Sequence, residues 1–129
     1  QLKKLNSWNK KRIDNAKFLT EKLKGIAGIV TPYVDPRVKH VFHQYTIKVM
    51  KNFLISRDEL MKKLEKNGVG TKIYYPLPIH KQKLYKNIGY RDHLPISEKI
   101  SQEVLSIPVH PLVSIDDLMH IISIIRGEE

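Results

Sequence analysis

The run Gly68-Val69-Gly70-Thr71-Lys72-Ile73-Tyr74-Tyr75-Pro76-Leu77-Pro78-Ile79-His80 constrains the fold of this chain more than any other stretch. Gly68 follows a helical pattern and suits the left-handed turn that ends a helix. An alternating stretch comes next and reads as a short strand, with Thr71, Ile73 and Tyr75 on one side and Lys72 and Tyr74 on the other. Pro76 cannot donate to a strand ladder, and Pro78 keeps the chain extended. The run is therefore helix end, short strand and stiff elbow, and it delivers two tyrosines and a histidine at the strand end.

The flanking sequence supplies the elements around this elbow. Leu2, Leu5, Asn9, Arg12, Ala16, Leu19 and Leu23 step by three and four along one face of a long helix, widened by Trp8 and Ile13. Asn9 and Arg12 interrupt that face, so part of it meets water, a missing domain or a second subunit. Gly25 or Gly28 stops the helix. Ile29 to Val34 is extended, and Pro32 marks an edge strand or a strand end; Asp35-Pro36-Arg37 is a loop. Val41 to Val49 is the best strand, with Val41, His43, Tyr45, Ile47 and Val49 on its more apolar face, close to a core or a cleft.

Ser56 and Glu59 form a capping box for a helix whose stripe is Leu60, Met61 and Leu64. Lys81 to Tyr85 suits a helical turn, and Gly89 to Asp92 a loop. Pro95 opens another helix with the apolar row Ile96, Ile100 and Val104. Ile107-Pro108-Val109 is a short extended piece. Ser114 caps a last helix, with Asp116 and Asp117 in its first turn and Ile115, Leu118, Ile122 and Ile125 facing inward. The expected class is α+β: a small, largely antiparallel sheet flanked by helices.

Composition matters mainly for what it excludes. The 129 residues suit one domain, and 41% hydrophobic with 28% charged residues is a globular balance. With no cysteine there is neither a disulfide nor a thiolate metal site, which fits a reducing compartment. No apolar run approaches the roughly 20 residues of a membrane span. The net charge of +10 could draw nucleic acid or phosphorylated substrates, but the lysines are spread over several helices. The chain starts at Gln1 inside a helical pattern, which reads as part of a longer protein.

Candidate chemistry is sparse. His40 and His43 have a His-x-x-His spacing, but on a strand they point to opposite faces; His80, His93, His110 and His120 have no close ligand partner, so no metal site is expected. No serine sits in a glycine-flanked elbow, and Gly68-x-Gly70 precedes a strand rather than a helix. Tyr74, Tyr75 and His80 stand out. They can hydrogen-bond a substrate's hydroxyl or phosphate groups, and histidine can move protons near neutral pH. The local pattern alone leaves open a core tyrosine pair followed by a surface turn.

At this elbow the chain resembles a known family. Gly68-Val69-Gly70-Thr71, Tyr75-Pro76, Pro78-Ile79-His80 and Gln82 resemble the glycine-to-histidine motif of the DegT/DnrJ/StrS sugar aminotransferases. Three more stretches agree in order: Gln1 to Leu5 with Arg12, Asn15 and Ala16; Val38 to Thr46; and Leu94 to Lys99 with Glu103 to Pro111. One departure is Tyr74, where the family usually has histidine.

The resemblance implies the C-terminal small domain, residues 1–129, of a pyridoxal-phosphate enzyme with the aspartate-aminotransferase fold. The large domain would precede Gln1 and carry the Schiff-base lysine, the acid facing the pyridine nitrogen and the phosphate-binding groups. No lysine of this chain is therefore nominated as catalytic, and its cofactor contacts stay unassigned. The implied reaction passes an amino group, usually from glutamate, to a keto sugar on a nucleotide diphosphate. The implied setting is a cytoplasmic homodimer serving polysaccharide biosynthesis, with the isolated chain inactive. Candidate substrate contacts are Tyr74, Tyr75, His80, His43 and Tyr45. The rival reading is a basic α+β binding module for nucleic acid or a protein partner; salt-dependent capture of DNA or RNA would mark it.

Overall fold

Serine caps start two of the helices. Ser56 accepts from the Glu59 amide while the Glu59 carboxylate reaches back to the Ser56 amide, and Ser114 and Asp117 repeat the arrangement. Each box satisfies backbone donors that the first helical turn leaves unpaired. The computed structural model describes residues 2–128; Gln1, which opens the first family-like stretch, lies outside them. The helices are α1 (Leu2–Leu23), α2 (Arg57–Lys66), α3 (Lys83–Asn87), α4 (Pro95–Glu103) and α5 (Ile115–Arg126), with a 3-10 turn at Ile79–Lys81.

The strands β1 (Ile29–Val30), β2 (Tyr45–Val49) and β3 (Val104–Ile107) form one antiparallel sheet with β2 in the centre, so the α+β expectation holds. Tyr45 pairs with Ile107 and Ile47 with Leu105, placing four apolar side chains on one face. On the other face Thr46 opposes Ser106, their hydroxyls 2.7 Å apart. Against the apolar face lie Ala16, Leu19 and Leu23 of α1, Leu60 and Leu64 of α2, and Leu118, Ile121, Ile122 and Ile125 of α5. Gly28 (φ +81°) carries the chain past the backbone of Phe53, where any Cβ would collide, so only glycine fits this crossing.

Several expectations need correction. The strand expected over Val41 to Val49 begins only at Tyr45. Phe42 takes φ +49° and turns its ring inward, so Val41 and His43 are exposed and do not share the buried face of Tyr45. The short strand expected after Gly70 is a single bridge, Lys72 to Ser106, because the chain leaves the sheet before a second pair can form. Val104 belongs to β3 rather than to the row of α4, and Ile96 and Ile100 are exposed; the covered positions of α4 are Ser101 and Glu103. On α5, Ile115 is exposed, while Ile121 and Ile124 join the core. The first half of the α1 stripe, Leu2, Leu5 and Trp8, also lies in solvent.

Candidate functional site

The functional surface grows from the end of α2. Gly68 (φ +79°) turns the chain, Val69 buries its side chain, and Lys72 exchanges two backbone hydrogen bonds with Ser106, of 3.0 and 2.8 Å. Residues 68 to 74 are thereby held beside β3 and its continuation. A groove of about 550 Å³ opens between these segments, and Arg12, His43, Lys72, Tyr74, His110 and His120 line it. Asn15 Nδ2 donates to the His110 carbonyl at 3.2 Å and fixes that wall to α1. The His120 imidazole donates from Nε2 to the Asn67 carbonyl at 3.0 Å and ties α5 to the end of α2.

The groove's electrostatics favour an anion. Asp117 is its acid, but that carboxylate accepts from the Ser114 amide and hydroxyl, and these bonds hold its pKa below the usual range. Asp117 therefore stays ionised, and Arg12 and Lys72 outnumber it along a lining that also carries three imidazoles.

Tyr74 also lines a second hollow of about 910 Å³, shared with Tyr75, His80, Tyr85, Tyr90 and Leu94. The Tyr74–Tyr75 peptide bond is cis. Tyr75 is largely exposed, whereas His80 is buried, with Nε2 3.0 Å from a Glu98 carboxylate oxygen. The other Glu98 oxygen lies 2.7 Å from Lys81 Nζ. Lys81 first, then His80, hold the Glu98 carboxyl down at about 2.

The structure thus brings together part of the expected set. Tyr74 and His43 share the groove, while Tyr74, Tyr75 and His80 share the second hollow. Tyr45, expected as a substrate contact, joins neither. It has no exposed surface, and its hydroxyl is 2.8 Å from that of Thr20. Burial pushes its phenol up to about 12, against the lowering by Thr20, as expected for a core tyrosine whose polar tip is satisfied. Sequence reasoning missed Lys72, His110, His120 and Glu98 as neighbours. Arg12 did leave a signal, as a charge interrupting the apolar stripe of α1.

Among the described residues no cluster of three metal-ligating side chains forms. No helix among them is long and apolar enough to cross a membrane. Nor do these residues fit pyridoxal phosphate by themselves. That group needs a lysine amine for a Schiff base and an acid for its ring nitrogen. The groove's lysine, Lys72, is exposed on a bridge residue, and its acid, Asp117, is occupied by Ser114. No chemical step is assigned to the cofactor in this chain.

Residues 1–126 match the DegT/DnrJ/EryC1/StrS aminotransferase family. The "Pleiotropic regulatory protein" of Geobacillus stearothermophilus is 42% identical over 111 residues, covering 83% of this chain and 28% of that protein. The UDP-N-acetyl-3-dehydro-alpha-D-glucosamine 3-aminotransferase of Acidithiobacillus ferrooxidans is 32% identical over 122 residues, covering 95% of this chain and 31% of that one. Among solved structures, S. venezuelae DesV in complex with a ketimine intermediate superposes with a TM-score of 0.88 at 29% identity, covering 98% of this chain and 33% of that one. This chain therefore spans about a third of the length of the relatives it matches. With the family match over nearly all its residues and the same fold in solved relatives, the chain belongs to the DegT/DnrJ/EryC1/StrS aminotransferase family.

Proposed function

We propose that this chain forms one wall of the substrate site in a pyridoxal-phosphate-dependent aminotransferase. That enzyme passes an amino group from glutamate to a keto sugar carried on a nucleotide diphosphate. In this reading the chain is the C-terminal small domain. The cofactor pocket and its reactive lysine come from polypeptide outside these 129 residues, and the isolated chain is inactive. The working enzyme is a cytoplasmic homodimer whose product enters a surface polysaccharide, a glycan or a secondary metabolite.

One observation carries the reading: in a chain of this family, Tyr74 stands in the wall of a groove lined by two cations, Arg12 and Lys72, and one carboxylate, Asp117. Arg12 and Lys72, with His43 beside them, suit the diphosphate, since cations lining a cleft concentrate an anionic ligand. Tyr74 and Tyr75 are placed to hydrogen-bond sugar hydroxyls from the neighbouring hollow. His80 is turned toward Glu98, so its part is to hold the elbow rather than to touch substrate. The full-length enzyme carrying this chain is expected to purify with pyridoxal phosphate, lose the cofactor's yellow absorbance on adding glutamate, and aminate a nucleotide keto sugar by mass spectrometry. A full-length protein that binds no pyridoxal phosphate would sink the reading.

A further inference from the structure

The elbow that carries Tyr74 and Tyr75 has little apolar anchorage. Leu77 and Ile79 are exposed, as are Ile96 and Ile100 on the adjoining α4. Neither the 3-10 turn Ile79–Lys81 nor the start of α4 has a capping side chain at its N-cap. One carboxylate caps the start of α4 and binds two side chains of the turn. Glu98 Oε1 accepts from the Leu94 amide at 3.2 Å and lies 3.0 Å from His80 Nε2. Oε2 lies 2.7 Å from Lys81 Nζ and 3.9 Å from His93 Nε2. The far end of α4 is pinned separately, by Arg57 Nη1 donating to the carbonyls of Ser101 and Val104 at 3.1 and 2.9 Å. One end of α4 is thus fixed to α2 and β3, and the other is tied to the elbow by the Glu98 carboxylate.

This differs from an ordinary surface ion pair. The His80 side chain is 7% exposed and that of Glu98 19%, so water competes weakly for the bond. Removing one partner strands a buried polar group, which costs more than an exposed pair gains.

We propose that Glu98 is a positioning residue of the site. Its carboxylate sets the angle at which the elbow presents Tyr74 and Tyr75 beside the groove, and so sets affinity for the nucleotide-linked sugar without touching it. The inference rests on the function proposed above. It makes specificity for the sugar depend on a contact inside the elbow.

The test uses the full-length enzyme. Glu98→Ala removes all four contacts, whereas Glu98→Gln keeps an acceptor for the Leu94 amide and removes the charge that holds Lys81. For Glu98→Gln, KM for the nucleotide keto sugar is expected to rise about tenfold while kcat stays within about twofold. Glu98→Ala should show the same split, with the larger KM. Amide exchange should quicken in residues 74–82 and 94–98 and stay unchanged in β2 and α5. A KM within about twofold of the parent in both variants would overturn the proposal. So would exchange that quickens evenly through the chain, since Glu98 would then support global stability alone. A parent enzyme that aminates no nucleotide sugar would instead remove the proposed function. The local exchange pattern would still decide whether Glu98 holds the elbow.

Discussion

Leu60 and Leu64 on α2 and Leu118, Ile122 and Ile125 on α5 have almost no exposed surface, whereas Tyr75, Leu77, Ile79, Leu84 and Ile88 on the elbow and α3 lie largely in solvent. The first group rests on burial, worth about 1.5–3 kcal/mol per enclosed aliphatic side chain. The elbow in the second is tied to α4 by the hydrogen bond and ion pair that His80 and Lys81 make with Glu98. Burial is non-directional and tolerates small shifts. A hydrogen-bonded clamp fixes direction and loses its grip once a partner is removed. The sheet side is thus built as platform, and the elbow side as a part whose orientation matters.

The largest blow to this contrast falls on the platform. Leu118→Ala should cost about 2–5 kcal/mol, read by denaturant titration of the chain, because a fully enclosed leucine leaves a cavity. A loss under about 1 kcal/mol would mean that α5 repacks freely and that the platform is looser than described.

Acid probes the elbow with a smaller, local effect. The Glu98 carboxyl is lowered from 4.5 to about 2 in the folded chain, by Lys81 first and then His80, with His93 and the Leu94 amide also facing it. A depressed carboxyl contributes stability that is complete above its unfolded pKa and is lost as pH falls through the folded one. Protection at residues 79–82 and 94–98, measured as exchange relative to the intrinsic rate at each pH, should therefore fall between pH 4.5 and about 2, ahead of the centre of β2. The Asp117 and Glu59 caps are also depressed and will weaken in the same direction, but behind them stands a packed interior. Simultaneous loss of protection in β2 and the elbow would erase the distinction.

The smallest effect on stability is expected from Tyr74→His in the full-length enzyme. Tyr74 is 42% exposed, so stability should stay within about 0.5 kcal/mol. Affinity for the nucleotide sugar should shift severalfold, since a hydroxyl at the rim of two hollows is replaced by an imidazole. Unchanged affinity and rate would return Tyr74 to the scaffold.

Capping serines and helix-ending glycines made α1, α2 and α5 legible, because these signals act within one turn of backbone. Periodicity failed where it had to say what covers a face. Ile96, Ile100 and Ile115 keep helical spacing, yet each remains exposed. Phe42 broke the strand alternation through a backbone turn that its residue type does not announce. Of the site, the Tyr74–His80 elbow could be found because its prolines and tyrosines are neighbours in sequence. Lys72, His110 and His120 meet only through the Lys72–Ser106 bridge and the packing of α5, and such tertiary approach leaves no local pattern.

That bridge has another consequence. An open sheet of three short strands offers two margins of unpaired backbone, the usual route to edge-to-edge aggregation. On the β3 margin, Lys72 already occupies both hydrogen-bonding groups of Ser106. On the other margin, β1 is only two residues long and is followed by Pro32. Neither margin offers a long template to a neighbouring molecule, so self-association of this chain should run through its helices, where Leu2, Leu5 and Trp8 stand uncovered.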